Sequence, residues 1–359
     1  MTRQRFLAGI RVLDLSQYIP GPLATRQLAD LGADVIKIEP PQGDPMRRFM
    51  QAEDGAPSPV YQHLNRGKRI LKLDLKSTNH QQCLEKLIID ADILLESYRP
   101  GVLDRLGFSR DILNKLNPRL IHCSLSGYGQ TGPYRGRAGH DLNYAALAGI
   151  PHYNGNGEQP AMVFPPLVDH AGAMHASIAM LAALQGRHSS GEGTWLDISL
   201  FESGLSWQYL PLLIDGMEAG KSLLNGAAAC YNLYQCADAS YFSLGAIETH
   251  FWQNFCGALQ RPDWVSRQYE AMPQTGLLAE VSELIKQHPL AYWHQRLDQV
   301  DCCFEALLHP DDIGHHPQVQ ARQSLSKSGP GYPGWINQAT VTVDENLISI
   351  ASTKTAIWK

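Results

Sequence analysis

The chain has no run of basic residues longer than the pair Arg47-Arg48, and its formal net charge is −5. That excludes the electrostatic footprint of a nucleic-acid-binding protein. No apolar segment reads as approaching the ~20 residues needed to cross a bilayer, so no membrane partner is expected. The seven cysteines stand at 83, 123, 230, 236, 256, 302 and 303, without metal-ligand spacing. No metal site is expected, and the odd count fits a reducing, cytoplasmic setting. The adjacent Cys302 and Cys303 read as two small apolar residues rather than a redox pair. The opening MTRQRFLAGIRVLDLS lacks a signal-peptide apolar core and small-residue cleavage site, so the mature protein is expected to start there. Gly-x-Gly-x-x-Gly is missing after the first strand-like run, where IPGP stands instead. A nicotinamide or flavin dinucleotide is therefore not expected. Internal repeats and low-complexity tracts are absent.

What is present is a globular composition: 359 residues, 44% hydrophobic and 18% charged, enough for a large core and more than one domain. Residues 9–125 alternate short β-rich runs with helical patterns. GIRVLDLS, DVIKIE, ILKLDL, DILLESY and RLIHCSLSG read as strands. Between them lie GPLATRQLADLGA, with Pro22 near its first turn, the amphipathic NHQQCLEKLIIDA, and a helical stretch through ILNKLNP. Strands separated by helical segments of 10–20 residues predict right-handed crossovers and a parallel, doubly wound sheet. AMHASIAMLAALQGRHSSGEG predicts a buried helix, and TWLDISLFESGLSWQYL a strand and a helix. YNLYQCADASYFSLGAIETHFWQNFCGAL changes style, to two short strands around ADAS and then a helix. The expected organisation is a large domain over 1–204, rejoined by 324–359, with a linker and a small α+β domain over 205–323.

Three polar residues sit oddly among apolar neighbours. GHDLNY opens the stretch AGHDLNYAALAGI; Asp141 would suit the first turn of a helix, but His140 has no such reason. Asp169 lies in FPPLVDHAGAMH, just ahead of the long apolar helix, and Glu248 in SLGAIETHF. For either acid, an N-cap role competes with a desolvated carboxyl suited to proton transfer. Spacing alone does not bring the three together. Anions would find a seat at the helix start in YIPGPLATRQ. Lys68, Arg69, Lys72 and Lys76 crowd the third strand, and Arg99 and Arg105 flank the turn RPGVLDR after the fourth. That clustering favours a ligand at the crevice of the sheet.

These residues resemble family III CoA-transferases, the group that includes α-methylacyl-CoA racemase. The resemblance rests on GIRVLDLSQYIPGPLATRQLADLGADVIKIEPP, NRGKRILKLDLK, ADILLESYRPGVLDRLG, NPRLIHCSLSGYGQTGPY, AGHDLNY, the region around Asp169, and SLGAIETHF. It covers the chain to about residue 323. GHDLNY together with GAIE looks like the racemase branch. There the resemblance makes His140 and Asp169 the proton-transfer pair, with Glu248 supporting the histidine and Asp141 orienting the site. For CoA it points to Ile19 and Pro20 after the first strand, and to Leu73, Asp74, Leu75 and Lys76 after the third. Ser97, Tyr98, Arg99 and Arg105 follow the fourth, and Ala138, Gly139, Asp141 and Asn143 surround the histidine. Where many relatives have an arginine for the adenosine phosphate this chain has Pro40, and Lys37 or Arg47 is the expected substitute.

The resemblance implies a Rossmann-like large domain, an interlocked homodimer, and no cofactor beyond the CoA carried in by the thioester substrate. Inverting the α-carbon of an acyl-CoA needs a proton carrier on each face of a planar enolate, with matched pKa values. Helix N-terminal N–H groups would stabilise the enolate oxygen. In the transferases of the family the aspartate matching Asp169 is instead a nucleophile, shielded by a glycine-rich loop. The corresponding LLNGAAACYNLY has one glycine, which favours a 2-methylacyl-CoA racemase over a CoA-transferase. A non-catalytic acyl-CoA-binding protein is the rival from another class.

Overall fold

The computed structural model describes residues 5–50, 55–155, 159–351 and 358. The chain forms two compact units, one of residues 1–148, 165–207 and 314–359, the other of 149–164 and 208–313.

The first unit is built on a parallel sheet. Its strands are β1 (Arg11–Leu15), β2 (Asp34–Glu39), β3 (Arg69–Lys72), β4 (Ile93–Glu96), β5 (Ile121–Ser126) and β6 (Thr194–Ser199). The spatial order is β3-β2-β1-β4-β5-β6, with a seventh strand, Ile348–Ile350, beside β3. The central strands read VLDL, VIKI and ILLE because both faces are covered, so apolar residues run continuously rather than alternating. Leu13 pairs with Ile36 on one side and Leu94 on the other, and all three are fully buried. On one face, Leu84, Leu87 and Ile88 of helix α3 (Thr78–Ile89) pack with Leu13, Leu71 and Phe108. The chain runs outward from β1 through β2 to β3, then returns to lay β4 against the other side of β1. This reversal opens a crevice beyond the carboxyl ends of β1 and β4, the place where sheets of this order bind ligands.

The other face carries α1 (Pro20–Asp30) and a helix of 24 residues, Leu167–Ser190. By length and composition this second helix is long and apolar enough to cross a membrane, contrary to the expectation that no stretch approaches that length. Histidines, serines and a glutamine break its apolar run in the sequence. Its small residues explain its place: Ala171, Gly172, Ala173 and Ala176 are buried, a Cβ on Gly172 would sit 2.2 Å from Leu200 Cδ2, and toward α1 the Ser177 hydroxyl donates to Gln27 Oε1 at 2.8 Å. It is a core helix of this unit.

Charges buried beneath the crevice are paired. Lys68 Nζ, fully buried, lies 2.9 Å from Asp14 Oδ2 and donates to Asn65 Oδ1 at 3.0 Å. Burial alone would raise the Asp14 carboxyl, but Lys68, Lys37 and the Ser16 and Thr25 hydroxyls hold it well below the usual carboxylate range.

The second unit has an antiparallel sheet of β7 (Tyr231–Gln235), β8 (Tyr241–Gly245) and β9 (Phe304–Ala306), with β8 in the middle. The helices Thr249–Ala258, Thr275–Ile285 and Leu290–Leu297 close over it around Trp252, Trp264, Trp293 and Phe255. Cys302 belongs to this core, whereas Cys303 is exposed; all seven cysteines are free.

Candidate active site

The crevice is stitched at its floor by the Gln17 N–H, which follows β1 and donates to Ser97 Oγ after β4 at 3.1 Å. Above it lies a cavity of about 340 Å³, lined by Tyr18, Pro20, Arg99, Tyr128, Arg135, Arg137, Ala138, Gly139, His140, Tyr144 and Asp169 among others. His140 and Asp169, far apart in sequence, therefore face one space.

GHDLNY folds as a single device around that space. It starts helix α6 (Asp141–Leu147), whose N-cap is His140 in an extended conformation. Asn143 Oδ1 reaches back to accept from the His140 N–H at 3.0 Å. The Tyr144 hydroxyl donates to the Gly139 carbonyl at 2.6 Å, and its ring lies so close that a Cβ on Gly139 would sit 2.7 Å from Cε1. Glycine is required there by contact rather than by backbone angle. Asp141 does more than complement the dipole of its own helix. Its Oδ1 accepts from the N–H groups of Val168 and Asp169, at 2.7 and 2.9 Å, and so caps the long helix 167–190 from outside. The two halves of the site are joined by that carboxylate.

Asp169 is half-buried, and its carboxyl takes no hydrogen bond among the described residues. Burial first, then the Asp141 charge, pushes its pKa from 3.8 up to about 7. The neighbouring Tyr144 hydroxyl is pushed up to about 12, by burial and then by Asp169. His140 itself is exposed, and its ring meets that of Tyr18 edge to face, centroids 5.9 Å apart at 80°. His170 is occupied with its own helix, Nδ1 lying 2.5 Å from the Pro166 carbonyl oxygen. Glu248 belongs to the second unit, where it is exposed and stands at the N-cap of helix Thr249–Ala258 without a side-chain capping bond.

Two further cavities adjoin the crevice. One of about 370 Å³ is lined by Leu73, Asp74, Leu75, Lys76, Tyr98 and Pro40 among others. The other, about 520 Å³, is lined by Arg99, Arg105, Arg110 and Arg135 together with Glu96, His122 and Ser124. Lys37 departs from its expected place. It is wholly buried, donating to the Ser16 carbonyl at 2.7 Å and pairing with Asp44 at 2.9 Å, so it is not free to meet a phosphate. Arg47 is committed to Glu39 at 2.8 Å and lies over the Tyr61 ring. Lys68 and Arg69 are likewise tied to Asp14 and Asp34. Lys72, Lys76, Arg99 and Arg105 are exposed. The start of α1 is not the open anion seat expected either: Pro20 and Pro22 have no N–H, and residues 20–25 are buried. Ile19 is the partly buried residue at its N-cap.

Tyr18, Tyr128, Arg135 and Arg137 line the His140–Asp169 cavity without having been singled out from the sequence. The pair behind the arginines of the 520 Å³ cavity was likewise not singled out. Glu96 is pushed up to about 7 by burial, and His122, its Nε2 3.9 Å from Glu96 Oε1, is lowered to about 4, also by burial. The signal for Glu96 was there: an acid closing the otherwise apolar run ILLE.

With this geometry in view, the comparisons with known proteins are specific. A family model described as CoA-transferase family III matches residues 7–358. The chain belongs to that family. It is 32% identical over 330 residues to the human protein named alpha-methylacyl-CoA racemase, covering 90% of this chain and 83% of that one. It is also 30% identical over 342 residues to the acetyl-CoA:oxalate CoA-transferase of Acetobacter aceti, covering 90% and 87%. Among solved structures, a CAIB/BAIF family protein from Brucella suis superposes with a TM-score of 0.82 at 26% identity, covering 95% of each chain. This family III protein is therefore an enzyme of the CoA-transferase and racemase type, and relatives of both activities are equally similar to it.

Proposed function

We propose that the enzyme racemises 2-methylacyl-CoA thioesters, with His140 and Asp169 exchanging the α-proton on opposite faces of an enolate. One observation carries this reading. Asp169 shares a cavity with His140 and has its carboxyl pushed up to about 7. A carboxyl poised near neutrality can both give and take a proton, as each direction of a racemisation demands. A nucleophilic carboxylate would be better served by full ionisation. Because Asp141 already occupies the Val168 and Asp169 N–H groups, and the Asn143 N–H is bonded to the His140 carbonyl, the enolate oxygen is proposed to meet the Asp141 and Leu142 N–H groups at the start of α6. Glu248 is proposed to support His140. CoA is proposed to enter only as part of the thioester, with Leu73 to Lys76 beside the adenosine end and Arg99 and Arg105 near its phosphates. A reducing, cytoplasmic setting fits the free cysteines, and the active form is proposed to be a homodimer.

The test is incubation with single enantiomers of 2-methylacyl-CoA in heavy water. Racemisation with α-deuterium entering the thioester is the expected result; thioesters recovered without deuterium would refute it. The similarity to CoA-transferases supports a second reading, in which Asp169 carries acyl and then CoA. Hydroxylamine added during turnover with a free acid acceptor would mark Asp169 only in that case, and mass spectrometry of PPLVDHAGAMH reads the adduct.

A further inference from the structure

The turn between β1 and α1 holds a feature that neither the fold nor the carriers of the proton require. Tyr18 adopts φ 63, in the left-handed region. Bulky side chains rarely take that conformation, and where they do the surroundings must impose it. Here the imposition is visible on both sides. The preceding Gln17 N–H is fixed to Ser97, and Pro20 opens α1 two residues later. The kink does not serve to bury the ring, which is 46% exposed. It delivers the ring to the wall of the His140–Asp169 cavity, edge to face with His140. His140 has little else to hold its imidazole: it is exposed, and apart from the Asn143 N–H of the capping box the bonds of GHDLNY fix its backbone.

We infer that Tyr18 is a positioning residue for His140, holding the imidazole in the rotamer that faces the substrate α-carbon. The inference rests on the racemase reading proposed above. An aromatic edge-to-face contact orients a partner ring through its quadrupole and needs no hydroxyl. The contribution is therefore expected from the ring alone. Misplacing a proton carrier by about an ångström costs on the order of a hundredfold in rate, without altering the contacts that bind CoA.

The experiment compares α-deuterium exchange from each enantiomer of a 2-methylacyl-CoA in wild type, His140→Ala, Tyr18→Phe, Tyr18→Leu and Tyr18→Gly. His140→Ala identifies the enantiomer whose proton His140 removes. Tyr18→Leu is expected to lose about ten- to a hundredfold in kcat from that enantiomer, with KM nearly unchanged and the other enantiomer much less affected. Tyr18→Phe is expected to retain wild-type exchange. Tyr18→Gly accepts the left-handed turn freely, so its equal loss, in a protein of undiminished thermal stability, separates the effect from misfolding. Three outcomes would overturn the inference: wild-type exchange in Tyr18→Leu and Tyr18→Gly, equal losses from both enantiomers, or a Tyr18→Phe loss as large as that of Tyr18→Leu. No exchange from wild type would be a different result, one that brings down the racemase reading and this inference with it.

Discussion

Replacing Asp169 by asparagine should abolish activity and yet stabilise the protein above neutral pH. The carboxyl of Asp169 is raised from 3.8 to about 7, chiefly by burial and then by Asp141. The folded state therefore binds this proton more tightly than the unfolded chain does. For a carboxyl shifted upward the sign is fixed: stability is unaffected below about pH 4, falls as pH rises toward 7, and stays lowered above it. The full shift would correspond to roughly 4 kcal/mol. Asp169 is only half-buried, and solvent screening brings the expected effect to about 2 kcal/mol. Asparagine keeps the shape and carries no charge, so Asp169→Asn should match wild type near pH 4 and exceed it by that amount at pH 8. Urea unfolding across this range measures the difference, and α-deuterium exchange measures the lost activity. A difference that stays flat from pH 4 to pH 8, or that favours wild type at pH 8, would refute the claim that the site holds this carboxyl against its solvation.

Three further expectations follow from the same geometry. Asp141→Asn retains an acceptor for the Val168 and Asp169 amides but removes the charge that helps to raise Asp169; the pH–rate limb governed by Asp169 should move to lower pH, and an unmoved limb would leave burial as the whole cause. His140→Ala should lose orders of magnitude in racemisation while still binding acyl-CoA, as read by exchange and by equilibrium titration; undiminished exchange from both enantiomers would remove His140 from the mechanism. Lys68→Met leaves Asp14 buried without its closest cation and should cost about 3–5 kcal/mol in urea unfolding, a loss too large for a surface lysine.

Much of the fold was legible because its signals are local. VLDL, VIKI and ILLE carry the continuous apolar pattern of strands covered on both faces, and the helical segments between them force parallel crossovers. The edge strand Ile348–Ile350 lies inside the β-like run ATVTVDENLISIAS without a pattern of its own, since a strand at a sheet border is defined by its neighbour β3 rather than by its own periodicity. The basic residues near the crevice show a limit of composition. Lys37, Lys68, Arg47 and Arg99 look alike in sequence, yet the first two are sealed beneath the site, Arg47 is held by Glu39, and Arg99 is exposed. What separates them is a buried acid within reach, Asp44, Asp14 or Glu39, a contact that spacing does not encode.

GHDLNY shows the opposite case, in which a short motif holds more than its residue types announce. Five of its positions act in physically separate ways. Gly139 admits the Tyr144 ring, His140 faces the cavity, Asp141 caps a distant helix, Asn143 secures the His140 backbone, and Tyr144 closes on the Gly139 carbonyl. Gly139, Asn143 and Tyr144 act within the segment, and the last two are readable there as local hydrogen bonding. The Asp141 bond reaches from α6 to the amides of Val168 and Asp169, and it is this bond that makes one site of two sequence regions. Its carboxylate both fixes the backbone of Asp169 and raises the pKa of its side chain. Placement and proton affinity of Asp169 thus depend on Asp141, which is why a change at Asp141 should be read in a pH profile before it is read as a loss of binding.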